Sequence, residues 1–243
     1  MTPAQALAIF APTGVLRASI NVGNPVLARR DSPSGAPQGV SIDIAAAFAE
    51  RLGAGVDFTV FDSASQSVDA VANGRADIGF FAIDPKRGET IAFTHPYVLI
   101  EGCYLVPEAS PIHTNDQVDR SGVRVAVGQG SAYDLFLSRE LKQAEIVRAP
   151  NPPSVIPLFI EQGLEVAAGV RQQLEAQMPD YPGLRLLPGR FMVIRQAMGL
   201  ARRRGDDALA CLTAFVEEIK SSGLVARLLE RHGIQGASVA PPA

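Results

Sequence analysis

Twice along this chain, short apolar runs alternate with stretches of helical spacing, and few architectures accept that order. The first series runs from an apolar strand at 15–22 through a helical pattern at 42–52, an alternating strand at 56–60 and a helix at 65–73. It ends on the apolar strand Ile78-Gly79-Phe80-Phe81-Ala82. The second series has strands at 123–127, 145–148 and 166–170, with helices at 133–142 and 153–162 between them. Strand–helix–strand repetition is the signature of a parallel, doubly wound α/β sheet, and a restart implies a second sheet. The expected fold class is therefore α/β with two lobes. Residues 1–104 form the first part of lobe one, 105–190 form lobe two, and 191–243 return to lobe one. The return passes through a strand at 198–201 and closes with amphipathic helices at 206–221 and 224–232. Residues 1–13 read as a short helix, 29–39 as a hairpin-like loop, and 236–243 as a frayed end.

Composition narrows the function classes. With 243 residues and 47% hydrophobic content the chain can bury substantial cores. A net charge of −3 argues against a nucleic-acid partner or an anionic membrane surface. Arg202-Arg203-Arg204 precedes Gly205 and reads as solvated surface. Only Cys103 and Cys211 are present, with three scattered histidines and no Cys-x-x-Cys pair, so neither a metal site nor a cofactor is expected. No apolar run reaches membrane-spanning length. Residues 1–10 lack the basic and long apolar regions of a secretory signal.

Chemistry concentrates in the segment Ile83-Asp84-Pro85-Lys86-Arg87, directly after an apolar strand. Open α/β sheets bind ligands at the carboxyl ends of their strands. An arginine there suits bidentate capture of a carboxylate, although a lone arginine after a turn is ordinarily solvated surface. On the second series, Gly128-Gln129-Gly130-Ser131 joins a strand to a helix. Such a turn can cradle an anion on backbone amides, but it lacks the lysine of a phosphate loop and the full dinucleotide fingerprint.

The ordered set of these motifs resembles the family 3 extracellular solute-binding proteins, the polar amino-acid-binding subunits of ABC uptake systems. The matching pieces include Gly39-Val40-Ser41-Ile42-Asp43, Asn73-Gly74-Arg75-Ala76-Asp77, the 83–87 segment, Ala92-Phe93-Thr94-His95-Pro96-Tyr97, and Val125 to Ser131. The resemblance spans roughly residues 14–234. It implies a two-lobed type II periplasmic-binding-protein fold that closes on a solute held in a cleft between its lobes. By motif match, Arg87 looks like the arginine that clamps a ligand carboxylate, with Ala82 and Asp84 near the ligand. Gln129, Gly130 and Ser131 look like the second-lobe turn completing the carboxylate site. A carboxylate-bearing solute, a membrane permease partner, a monomeric state and a periplasmic location follow from the resemblance. The missing signal leaves a cytoplasmic location open.

Departures from the family pattern leave the solute undefined. Asn24-Pro25-Val26-Leu27 stands where the family usually carries an aromatic residue, and Val170 stands near the place of its ammonium-binding aspartate. In one reading Glu101, a lone acid in an apolar strand, takes that aspartate's role. In the other the ligand has no ammonium, and Arg87 and Arg171 bind an organic acid with Gln196 as a further polar contact. Beside the importer receptor, two functions compete: a dehydratase-like enzyme on the same fold, with Glu101 or Glu165 as its acid, and a sensing module without a transporter. No convincing acid–base pair is visible, so a non-enzyme is expected.

Overall fold

Thr2 caps the first helix: its hydroxyl accepts from the Gln5 amide, and the Gln5 side chain accepts from the Thr2 amide. This helix, α1 (Pro3–Phe10), turns Ala6 and Phe10 inward. The structure is a computed structural model that describes residues 2–23, 25–32 and 34–243. By contact density the chain divides into two units, Met1–Leu99 with Arg195–Ala243, and Ile100–Ile194.

In the first unit, β1 (Val15–Asn21) is followed by β2 (Arg29–Arg30) and β3 (Pro37–Gln38), which pair as a small antiparallel hairpin. Helix α2 (Val40–Leu52) buries Ile44, Ala45, Phe48 and Leu52 on one face, the i, i+4, i+8 pattern of an amphipathic helix. The Phe48 ring lies 5.0 Å from Phe10 and 4.8 Å from Phe215, tying three helices together. Next, β4 (Gly55–Phe61) pairs with β1 along its whole length. As a sheet edge it alternates between exposed and half-buried positions. After α3 (Ala64–Ala72) comes β5 (Ile78–Ala82), parallel to β1 and buried at every position, as a central parallel strand should be. The chain leaves the unit along β6 (Ile91–Pro107).

The second unit contains β7 (Arg124–Gly128), α4 (Ala132–Glu140), β8 (Glu145–Ala149), α5 (Val155–Glu161), β9 (Val166–Val170), α6 (Arg171–Gln177) and β10 (Leu184–Leu186). Strand β7 pairs in parallel with β8 and β9, and β9 runs antiparallel to β6. Its core gathers Leu105, Ala126, Ile156, Phe159, Ala167 and Leu174. The return strand β11 (Met192–Ala201) brings the chain back to the first unit, where it lies antiparallel to β5. There α7 (Asp206–Ser221) and α8 (Leu224–Arg231) follow, then β12 (Ser238–Val239).

The two units share one device at the amino ends of their strands. In the first, Asp77 accepts from the Arg17 amide (2.9 Å), Nε (2.9 Å) and terminal nitrogen (2.8 Å). In the second, Glu165 accepts from the same three groups of Arg124, at 2.8, 2.9 and 2.8 Å. Each pair links the first strand of its series to the residue just before the third. Glu165 therefore sits at the start of β9, at the opposite end from the turn 128–131.

Four sequence expectations need correction. The two strand series do not form separate sheets: their strands belong to one ten-stranded sheet in the order β4-β1-β5-β11-β6-β9-β7-β8, with β10 and β12 also paired to β6. Helix α6 and strand β10 were not expected, and the return strand begins at Met192 rather than 198. Residues 236–243 are not a frayed end. Strand β12 pairs with Val98 and Leu99 of β6, the Ala240 amide donates to the Tyr97 carbonyl (3.0 Å), and buried Lys220 donates to the Pro241 carbonyl (2.9 Å).

Candidate functional site

In the first unit the candidate residues gather where β5 ends. Pro85 fixes a turn after the strand. The Asp84 side chain accepts from the Lys86 amide (2.9 Å) and its carbonyl from the Gly88 amide (2.9 Å). This winding turns Arg87 back onto the strand, where one terminal nitrogen donates to the Ala82 carbonyl at 3.1 Å. Arg87 is 6% exposed and Asp84 4%, so this arginine is not solvated surface. Burial lowers the Arg87 pKa to about 10, and the nearby Asp84 carboxylate works against that fall. The guanidinium still carries its charge at neutral pH. Gln196 on β11 is in register with Ala82 and 6% exposed, and the Ile83 amide donates to the Arg195 carbonyl (2.9 Å). Ala82, Asp84, Arg87 and Gln196 thus share one end of one sheet. Asn24 lies outside the described residues.

In the second unit, Gln129, Gly130 and Ser131 form the turn from β7 into α4. At Gly128 an added Cβ would sit 2.8 Å from the Tyr133 hydroxyl and 2.9 Å from the Pro152 Cα, and Gly130 has φ +70°, so both need glycine. The turn's amides already have acceptors. Gln129 donates to the Ala149 carbonyl (2.9 Å), Ser131 to the Gly128 carbonyl (3.0 Å), and Gly130 to the Asp134 carboxylate (2.8 Å). The Ser131 hydroxyl accepts from the Asp134 amide (3.0 Å), capping α4. Asp134 is in turn held by Arg148 Nε (3.1 and 3.2 Å) and the Ser138 hydroxyl (3.1 Å). An anion already rests on this turn, and it belongs to the protein. Sequence reading missed it, although Ser131 and Asp134 have the Ser-x-x-acid spacing of a helix cap.

Glu101 and Arg171 also meet in the second unit, as an ion pair. Glu101 accepts from Arg171 Nε (2.9 Å) through one carboxylate oxygen and from Arg190 (2.7 Å) through the other. Arg171 further donates to the Gly189 carbonyl (2.5 Å) and lies 3.7 Å from Glu175. The hydrogen bond from Arg190, and then that from Arg171, hold the Glu101 carboxyl below its ordinary pKa despite partial burial. Arg190, the second partner, was not singled out in the sequence because nothing in its local pattern marks it. The Arg124 hydrogen bonds likewise hold Glu165 low. No group of three His, Cys, Asp or Glu side chains that could hold a metal occurs among the described residues.

Two α/β units joined by β6 and β11 define the two-lobed binding-protein class. The chain belongs to the bacterial extracellular solute-binding proteins, family 3, whose description matches residues 18–235. Among solved structures, it is similar to a variant of ArgBP from T. maritima (TM-score 0.78, 19% identity, 94% of this chain and 99% of that one). It is also similar to the ancestral amino acid-binding protein AncCDT-1, a precursor of cyclohexadienyl dehydratase (TM-score 0.77, 20% identity, 93% and 98%). Among curated proteins it is 29% identical over 129 residues to the virulence sensor protein BvgS of Bordetella pertussis, covering 52% of this chain and 10% of that one. The chain spans less than half the length of the curated relatives it matches.

Proposed function

We propose that the protein is a solute receptor that captures a small carboxylate-bearing molecule by closure of its two units, as the binding subunit of an ABC importer. The observation that carries this reading is Arg87. It places a buried, charged guanidinium at the carboxyl end of a central strand, the end at which open α/β sheets bind their ligands, and a guanidinium there suits a carboxylate. Family membership supports the same reading. β6 and β11, which carry the chain between the units, are the proposed hinges. Gln196 and the Ser131 hydroxyl are proposed as further polar contacts to the solute. The permease partner, periplasmic location and monomeric state belong to this proposal.

An enzymatic role has less support. A general acid needs a raised pKa near the working pH, whereas Glu101 and Glu165 are both held low by arginines. The sensing reading draws on the similarity to BvgS, a sensor by name. A thermal-shift screen of amino acids, dicarboxylates and prephenate-like acids tests solute capture itself. A true ligand at 100 times its dissociation constant raises the unfolding free energy by about 2.7 kcal/mol. A flat screen across all three classes counts against the receptor reading.

A further inference from the structure

Strand β6 changes partners where it passes from the first unit to the second, between Leu99 and Ile100. Before that boundary the C-terminal tail holds it. Ser238 and Val239 pair with Leu99 and Val98, and the Ala240 amide donates to the Tyr97 carbonyl at 3.0 Å. Beyond the boundary, β9 pairs with β6 from Gly102 to Leu105. Ile100 and Glu101 lie between these two ladders and pair with neither β12 nor β9. The further neighbour of β6, strand β11, is itself a connection between the units.

A buried charge fastens the tail. The Lys220 ammonium has three N–H donors and three acceptors for them. These are the Pro96 carbonyl on β6 (3.3 Å), the Pro241 carbonyl on the tail (2.9 Å) and the Glu217 carboxylate (2.7 Å). Removing the tail would leave this buried ammonium one acceptor short, which is costly away from water. Glu217 in turn accepts from the Ala243 amide (3.4 Å) and lies 3.3 Å from His95 Nδ1. The tail, α7 and residues 95–99 of β6 are thus one bonded set inside the first unit, and it stops where that unit stops.

Hinge closure is absorbed as backbone rotation at a few residues. A residue inside a ladder cannot rotate without giving up its backbone hydrogen bonds. With β12 in place, the stretch of β6 left free between its two ladders is two residues long. Without β12 it would extend back to Tyr97, and closure would have to order more backbone.

We propose that residues 238–241 are a brace on the β6 hinge, confining its pivot to Ile100 and Glu101 and thereby favouring solute capture. The tail acts through the hinge and not by contact with the solute. The inference rests on the solute-capture reading and adds a conformational control to it.

The test uses Ala240→Pro, which removes the amide that donates to Tyr97, with circular dichroism to confirm the fold. Two quantities are compared with wild type, at a temperature where both proteins are fully folded. One is hydrogen exchange along β6. The other is affinity by calorimetric titration with L-alanine, L-glutamate, L-phenylalanine, succinate and prephenate. Exchange should rise about tenfold or more in Tyr97–Leu99 and stay unchanged in Gly102–Leu105. Every probe that binds wild type should bind the variant about fivefold more weakly or worse, the lower end of couplings between distant sites. Faster exchange with wild-type affinity would make the tail a passive strap and overturn the inference, leaving solute capture intact. Unchanged exchange in Tyr97–Leu99 overturns it as well. If no probe binds wild type, both readings fall together. If Ala240→Pro does not fold, Lys220→Met, which removes the bond to Pro241 and keeps every backbone amide, decides by the same two measurements.

Discussion

Asp77→Ala and Glu165→Ala remove the same three hydrogen bonds from the two units, yet they should differ severalfold in cost. Asp77 is 1% exposed and also pairs with Arg204, whose side chain is 20% exposed. Its removal strands the Arg17 amide and two guanidinium groups. Breaking a fully buried pair costs about 3–5 kcal/mol, and the 44% exposure of the Arg17 side chain reduces this to about 2–4 kcal/mol. Glu165 and Arg124 are 35% and 37% exposed, so water replaces much of what is lost and about 1 kcal/mol is expected. The chain has no tryptophan, so urea unfolding is best followed by far-UV circular dichroism. Burial pushes the Asp77 carboxyl up, but the Arg17 hydrogen bonds and the Arg204 charge together hold it below its ordinary value. A carboxyl lowered in the folded state adds stability above its unfolded pKa and loses it as pH falls through the folded one. The Asp77→Ala deficit should therefore be full at neutral pH and shrink below about pH 4. Equal losses from the two variants, or a deficit that grows in acid, would mean that burial of Asp77 does not set the strength of its ion pairs.

Lys220→Met removes the buried amino group that bridges Glu217 and the carbonyls of Pro96 and Pro241. It should speed hydrogen exchange at the Ala240 amide by about tenfold or more; unchanged exchange would mean the tail is held by β12 pairing alone. Cys103 is buried, donates to the Gly189 carbonyl (3.3 Å), and has a thiol pushed up by burial to about 11. A thiol reagent at pH 8 should leave it unmodified until the protein unfolds, and rapid labelling in the native state would contradict its placement.

The fold was legible because its signals are local and repeated. The burial of β5 and β9 at every position is written in their continuous apolar runs, and the helices α2 and α7 in their spacing. What sequence could not show was set by partners far along the chain. Glu101 stood out as a lone acid in an apolar strand, but its environment comes from Arg171 and Arg190, 70 and 89 residues away. The short strand β12 has no hydrophobic pattern of its own. It exists because β6 offers an edge and Lys220 a donor. Arg87 was found by its place after β5, while its burial depends on how the Asp84 turn folds it back.

If Arg87 receives the solute carboxylate, removing its guanidinium must weaken binding. The direct test is isothermal titration of the strongest ligand from the thermal screen into wild type and Arg87→Ala, with circular dichroism confirming that both are folded. Loss of a buried charge partner predicts binding weaker by about 2–5 kcal/mol, a drop of roughly thirtyfold to several thousandfold. A folded Arg87→Ala protein that binds that ligand with wild-type affinity would contradict the claim.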